Sequence, residues 1–140
     1  MFISRDVRHF LDVSNGVHQS FGRAAGRATA KIDTFASGGH VVFGMDPGNK
    51  SPSTLVARNG PVQKGIVDLR VISYQPDVRI FGAFAEIDTL VLLTWAPKTG
   101  LHYATEIKKC RSVWDAFFTG FEPHKGESHG DYISRNVIPG

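Results

Sequence analysis

The chain has 140 residues, of which 41% are hydrophobic and 21% are charged. This length and composition suit one globular domain with a single core, and they exclude a chain that is disordered throughout. The formal net charge is +3, which permits nucleic-acid binding but does not require it.

The cysteine content and the N-terminal residues indicate the cellular compartment in which the protein is expected. Cys110 is the single cysteine, so an internal disulfide is excluded and a reducing setting is favoured. Residues 1–12 carry charges where a signal peptide needs an apolar run. The longest apolar run, at 90–93, is too short to span a bilayer. We therefore expect a cytoplasmic protein with no membrane partner.

Two helical patterns open the chain. The first covers 4–13, with Ser4 as a candidate N-cap. The second repeats apolar residues every three or four positions, at Val17, Phe21, Ala25, Ala28, Ile32 and Phe35. Beside this stripe, Arg23, Arg27 and Lys31 form a basic row with a spacing of four residues. A Ser-Gly-Gly stop signal follows and predicts the end of the second helix.

The middle of the chain changes from loop to strand patterns. Residues 40–43 predict a short strand, and 44–65 is rich in Gly, Pro, Asn and Ser without any period, which predicts a loop insertion. The segment 66–74 alternates apolar and polar residues, whereas 78–86 and 89–97 are apolar on both faces. Short links join these three strands, so we predict an antiparallel meander.

The last third predicts one more helix and an irregular tail. The apolar stripe of the helix consists of Ile107, Cys110, Trp114, Phe117, Phe118 and Phe121. The tail contains a small apolar cluster, which predicts one added strand at Tyr132, Ile133, Val137 and Ile138. The predicted fold class is α+β: two N-terminal helices packed on a small antiparallel meander, with a C-terminal helix. Residues 1–120 form its single domain, and 121–140 form a C-terminal extension.

No strong catalytic motif is present, because the chain has no phosphate-binding loop, no dinucleotide fingerprint, no CxxC and no HExxH. His124 and His129 lie on a Gly-rich tail, where solvent-facing side chains are the favoured interpretation. Cys110 falls on the apolar stripe of a helix, where a free thiol behaves as a small hydrophobe rather than a nucleophile. We predict no metal and no cofactor.

Cations near the meander are the better candidates for chemistry. Arg70 and Arg79 lie on neighbouring strands, Lys98 ends the third strand, and His102 and Tyr103 follow directly. Arginine makes forked contacts with phosphate, and lysine supplies a mobile point charge. Tyrosine or histidine can stack on a base or transfer a proton. This set therefore suits an anionic ligand.

A purely structural interpretation of the same residues stays open. Arg70 can pair with Asp68 or Glu86 on a solvated sheet face, and Tyr103 can pack against the last helix. In that case the cations stabilise the fold and bind no ligand.

Four short motifs resemble the RelE/ParE toxin superfamily, which includes the HigB-like toxins. They are a "GIVDLR" strand at 65–70, a "VRIF" strand at 78–81, an apolar strand that ends on a lysine at 90–98, and a "TEIKKC" helix start at 105–110. The resemblance implies a RelE-like fold. The chain departs from the family pattern in having Asp68 in place of Glu, Thr99 in place of a second lysine, and a greater length.

The resemblance implies a metal-independent endoribonuclease that cleaves mRNA on the ribosome and is neutralised by an antitoxin protein. In that reaction the RNA 2′-OH attacks the adjacent phosphate. Carried over, Arg79 would hold the scissile phosphate and Lys98 would stabilise charge. Either His102 or Tyr103 would be the acid or base.

The same resemblance implies a wider RNA-binding surface. It would include Arg70 on the RNA backbone, the row Arg23, Arg27 and Lys31 on ribosomal RNA, and Lys108. Another branch of the family poisons DNA gyrase instead, so fold alone does not decide function. A further alternative is a non-catalytic binding or inhibitor protein of phage or plasmid origin, which would use 44–65 or the tail as its contact surface.

Overall fold

A computed structural model describes residues 1–12, 21–72 and 77–140, and within these ranges three helices flank one seven-stranded sheet. In chain order the elements are β1 (Phe2–Ile3), α1 (Arg5–Leu11), α2 (Gly22–Ala36), β2 (Val41–Gly44), β3 (Val56–Arg58), β4 (Ile66–Val71), β5 (Val78–Glu86), β6 (Thr89–Pro97), α3 (Tyr103–Phe117) and β7 (Val137–Pro139). Short 3-10 turns occupy Val62–Lys64 and His129–Asp131.

The predicted meander forms the centre of the sheet. Strand order is β1-β6-β5-β4-β3-β2-β7, and β3, β4, β5 and β6 are antiparallel neighbours. Strands β1, β2 and β7 add parallel pairings at the two sides. The mixed α and β content is compatible with the predicted class, but the small sheet is wrong, because four short strands extend the meander.

Helices cover both faces of the sheet, because β5 and β6 are apolar on both sides and burial of both sides is favourable. Helices α1 and α2 pack on one face, where Phe10, Ile32 and Leu69 belong to one core cluster. Helix α3 packs on the opposite face, where Phe81 and Trp114 belong to a second cluster. The result is a sheet between two helical layers.

The segment predicted as a loop at 44–65 contains strand β3, which corrects that prediction. Val56 and Ala57 are buried and pair with Leu69 and Asp68 of β4. Three residues are too few to show a periodic pattern, and their strand conformation depends on partners distant in sequence. After β3 the chain returns to β4 through a turn at Val62–Lys64.

Residues 121–140 contribute to the same core as the rest of the chain. The ring of Tyr132 stacks on Phe43 at 4.9 Å and meets Phe84 edge-on at 5.2 Å. The predicted added strand is present as β7, which pairs with β2 at the sheet edge. Tyr132 and Ile133 precede this strand and are buried against the α1 and α2 side.

Helices α1 and α2 agree with their predicted residues, but the end of the stripe predicted for the third helix is wrong. Helix α3 ends at Phe117, Phe118 and Phe121 lie beyond it, and Phe117 and Phe121 are exposed. Ser4 caps α1, since its hydroxyl accepts from the Val7 N–H at 3.2 Å and donates to the Leu93 carbonyl at 2.7 Å. Ala25, Ala28 and Ile32 of the predicted stripe are buried in α2. The start of that stripe at 17–20 and the predicted strand end at 73–74 lie outside the described residues. No helix in the described ranges has the length and apolarity that a membrane crossing needs.

We predict that Gly82→Ala lowers the free energy of unfolding by about 3 kcal/mol. Gly82 lies at a register shift between β5 and β6, and a Cβ there would sit 1.9 Å from the Val91 carbonyl oxygen. Urea unfolding measures the change. Gly26→Ala in α2 is the control: its Cβ meets nothing within 4 Å, so helix propensity should stabilise the protein by up to about 1 kcal/mol. Equal effects of the two substitutions would contradict this packing.

Candidate functional site

The α3 face of the sheet ends in a group of polar side chains beside the first turn of α3. Its members, which we call the basic cluster, are Lys50, Asn59, Asp68, Arg70, Arg79 and Tyr103. The middle of the same face is apolar, with Ile66, Phe81 and Ala83 under α3. The polar side chains therefore lie at the end of this sheet face where α3 begins.

Strand pairing and helix position bring the cluster together. Arg70 of β4 lies directly opposite Arg79 of β5, and Asp68 lies opposite Phe81. Since alternate residues of a strand share a face, these four side chains point toward α3. Tyr103 is the first residue of α3, and its ring meets Phe81 edge-on at 6.0 Å.

At the centre of the cluster is a buried pair, Asp68 and Arg79. Asp68 is fully buried and Arg79 is 2% exposed, and Arg79 Nε lies 3.6 Å from Asp68 Oδ2. Arg79 Nε also donates to the Tyr103 hydroxyl at 3.2 Å, and Nη1 donates to the Val78 carbonyl at 3.1 Å. Arg79 therefore orients the Tyr103 hydroxyl from the protein interior, and it is too buried to contact a bound molecule directly.

Lys50 and Asn59 complete the surroundings of the carboxylate. Asn59 Nδ2 donates to Asp68 Oδ1 at 2.9 Å, and Lys50 Nζ donates to Asn59 Oδ1 at 3.4 Å. The Lys50 ammonium lies 4.0 Å from Asp68 Oδ1 and 5.7 Å from the centre of the Tyr103 ring. Arg70 Nη1 donates to the Ser51 carbonyl at 3.0 Å and so holds the segment that carries Lys50.

Burial sets the protonation behaviour of the cluster. It raises the pKa of Asp68, against the opposing effects of Lys50, Asn59, Arg79 and Arg70. Burial also lowers the pKa of Lys50; Asp68 opposes this effect, while Arg70 and Arg79 add to it. Three cations thus surround one carboxylate, and the cluster carries an excess of positive charge.

The sequence-predicted residues divide into two groups. Arg70, Arg79 and Tyr103 are brought together in the cluster. Lys98 and His102 are exposed at its rim, on the connection from β6 to α3. Lys98 directly follows Pro97, the last residue of β6, and lies two residues beyond Ala96, the partner of Arg79.

The other predicted RNA contacts lie apart from the cluster. Arg23, Arg27 and Lys31 are exposed on α2, which packs on the opposite face of the sheet. Arg27 Nη1 donates to the Ile72 carbonyl at 3.4 Å. Lys108 is exposed on α3. These residues would have to meet a different part of any bound nucleic acid.

Lys50 and Asn59 are cluster residues that the sequence motifs did not predict. Both come from the segment at 44–65, and the only signal for them was that a long aperiodic segment is often functional. The alternative partners expected for Arg70 are not the observed ones. Arg70 bonds the Ser51 carbonyl, Asp68 pairs with Arg79 and Lys50, and Glu86 accepts from Thr89.

Two other candidate chemistries have no suitable geometry. Cys110 is buried, and burial raises the pKa of its thiol to about 12, so it is not an activated nucleophile. Among the described residues, no group of three His, Cys, Asp or Glu side chains lies close enough to hold a metal ion. In the tail, His124 Nε2 bonds the Asp131 carbonyl, and its ring contacts Tyr132.

Comparison with known proteins adds no relative: no family model, no curated protein and no solved structure matches this chain. The resemblance to RelE/ParE toxins therefore stays a prediction from the motifs. The geometry of the basic cluster combines forked and point-charge cations with an oriented hydroxyl.

We predict that Asp68 and Arg79 are strongly coupled in stability. Asp68→Ala leaves the buried Arg79 charge without its carboxylate, so the free energy of unfolding should fall by about 3 kcal/mol or more. Arg79→Met should also destabilise. In a double-mutant cycle followed by urea unfolding, the double variant should lose about 1–3 kcal/mol less than the sum of the single variants. Additive losses would show that the pair does not interact.

We also predict a protected thiol. At pH 8 the native thiolate fraction of Cys110 should be about 1,000-fold below that of an ordinary cysteine, because its pKa is about 12 rather than 9.0. Its reaction with an aromatic disulfide reagent, followed by absorbance, should be at least about 100-fold slower than in guanidinium chloride. Comparable rates in the two conditions would place the thiol at the surface.

Proposed function

We propose that this protein is a toxin of the toxin–antitoxin type, a metal-independent endoribonuclease that cleaves mRNA on the ribosome and inhibits translation. The observation that carries the proposal is the basic cluster, where the Lys50 ammonium lies over the Tyr103 ring, Arg70 bonds the neighbouring Ser51 carbonyl, and Arg79 donates to the Tyr103 hydroxyl. Cleavage of RNA by its own 2′-OH needs cations around phosphorus and groups that transfer protons. The cluster and its rim supply both.

The chemical steps assign roles to these residues. A base takes the 2′-OH proton, O2′ bonds to phosphorus, the P–O5′ bond breaks, and O5′ takes up a proton. Lys50, Arg70 and the rim residue Lys98 stabilise the phosphate oxygens. Tyr103 or His102 transfers a proton. Arg79, which the resemblance would place on the scissile phosphate, is assigned the orientation of Tyr103 instead, because it is buried.

Binding to the ribosome would use surfaces beyond the cluster. Lys108 presents an exposed cation on α3, apart from the cluster, and the α2 row presents three exposed cations on the opposite side of the sheet. Contacts with phosphate supply affinity without sequence preference. An antitoxin that covers the basic cluster would neutralise the enzyme by excluding mRNA.

A second candidate function is a non-catalytic protein that binds a partner. It is favoured by an exposed aromatic surface at the C-terminal end of α3, formed by Phe2, Phe117 and Phe121, which are 44%, 58% and 73% exposed. The Phe2 and Phe117 rings meet edge-on at 6.2 Å. Exposed aromatic side chains near one another are typical of surfaces that bind a partner protein.

We expect expression of the wild-type protein to arrest growth and to cleave translated mRNA. Tyr103→Phe keeps the ring but removes the hydroxyl, so cleavage should fall by about 100-fold or more. Primer extension on ribosome-associated mRNA after induction measures it. Arg135→Gln, an exposed position away from the cluster, is the matched control and should cleave normally.

Three results would decide against the enzyme. Intact mRNA after expression of the wild-type protein rules out ribosome-dependent cleavage. If Phe117→Ser with Phe121→Ser abolishes a protein complex while Tyr103→Phe changes nothing, the binding function is the correct one. DNA damage without mRNA cleavage would point to gyrase.

A further inference from the structure

We infer that Lys50 and Arg70, on the solvent side of the buried Asp68–Arg79 pair, form a binding site for a dianionic phosphate. This inference deepens the proposed function and rests on it for the natural ligand, an RNA phosphate that becomes dianionic as O2′ attacks. Neither Lys50 nor the 44–65 segment was assigned to the site by the sequence motifs.

Lys50 and Arg70 are partly exposed and can contact a ligand, whereas Asp68 and Arg79 are buried and cannot. Asp68 and Arg79 are closed to solvent, whereas the Lys50 side chain is 17% exposed and Arg70 is also partly exposed. A solute that approaches the cluster therefore meets Lys50 and Arg70 first. The negative charge of Asp68 lies beneath them, and its Oδ1 already accepts from Asn59.

Both cations are held in place and keep donors for a ligand. Arg70 is fixed by one bond to the Ser51 carbonyl, and a guanidinium has five N–H donors. Lys50 is held by Asn59 and by the face of the Tyr103 ring, and an ammonium has three donors. Cations that are ordered before binding lose little entropy when a ligand arrives.

The charge balance selects a dianion. With all four groups ionised, Lys50, Arg70 and Arg79 carry three positive charges and Asp68 one negative charge, which leaves a formal excess of two positive charges around the buried carboxylate. A phosphodiester carries one negative charge, whereas the pentacoordinate phosphorane formed by O2′ attack carries two. The site therefore matches the transition state better than the substrate, and this difference in binding is what accelerates a reaction.

The test is an NMR titration of the purified full chain with three probes: inorganic phosphate, a nucleoside 3′-monophosphate, and a 2′-deoxy dinucleotide that carries only a diester. We expect the side-chain signals of Lys50 and Arg70 to shift, and both dianions to bind about tenfold more tightly than the diester. Bound phosphate should also raise the pKa of Lys50, because an anion favours the charged ammonium.

Variants test the site itself. Lys50→Met and Arg70→Met should each weaken phosphate binding by about tenfold or more, while Arg135→Met should bind like the wild type. Asp68→Asn removes the internal counter-charge, so it should bind phosphate more tightly. Amide spectra of each variant report whether it is folded, and the wild-type titration does not depend on any variant.

The outcomes separate this inference from the proposed function. If no probe shifts Lys50 and Arg70, or if the diester binds as tightly as the dianions, the inference is overturned even where mRNA is cleaved. Weaker phosphate binding by folded Asp68→Asn also counts against it. Dianion binding with the expected variant effects supports the site even where mRNA stays intact, and in that case only the proposed function is lost.

Discussion

The buried pair of Asp68 and Arg79 is the interaction on which the rest of the site depends. Two charges in the interior are unfavourable unless each has further partners. Asn59 and Lys50 supply those partners for the carboxylate, and Tyr103 with the Val78 carbonyl supplies them for the guanidinium. The contacts with Asp68 hold Lys50 and Asn59 beside the carboxylate. The contact with Arg79 orients the Tyr103 hydroxyl at the start of α3.

The two-sided sheet explains why this pair can be buried at all. Strands β5 and β6 are apolar on both faces, so α1 and α2 cover one face and α3 covers the other. On the opposite face, α3 begins at Tyr103, and the part of the sheet that α3 does not cover carries polar side chains. The apolar part of the sheet holds the strands in place, and the polar side chains project from the ends of those strands. Side chains carried by strands and helices are positioned precisely, as a preorganised site requires.

Helix α3 separates two surfaces with different chemistry. Its first residue, Tyr103, belongs to the basic cluster, while Phe117 at its last turn belongs to the exposed aromatic surface. A helix of 15 residues holds such surfaces roughly 20 Å apart. Phosphate chemistry at one end and a protein contact at the other are therefore compatible in one molecule, and a partner on the aromatic surface would not have to block the cluster.

By itself, the sequence determined the elements whose signal is local. The alternation in 66–71, the two-sided apolar strands at 78–86 and 89–97, and the helical stripes predicted the meander and the helices, because periods of 2 and 3.6 residues are set by neighbouring side chains. Only the tertiary structure decided β1 and β3 and the pairing of β7 with β2, since strands of two or three residues form through distant partners. It also decided that Arg79 is buried and that Lys50 stands beside Tyr103, because contacts between residues so far apart in the chain arise only when the sheet and α3 have closed around Asp68.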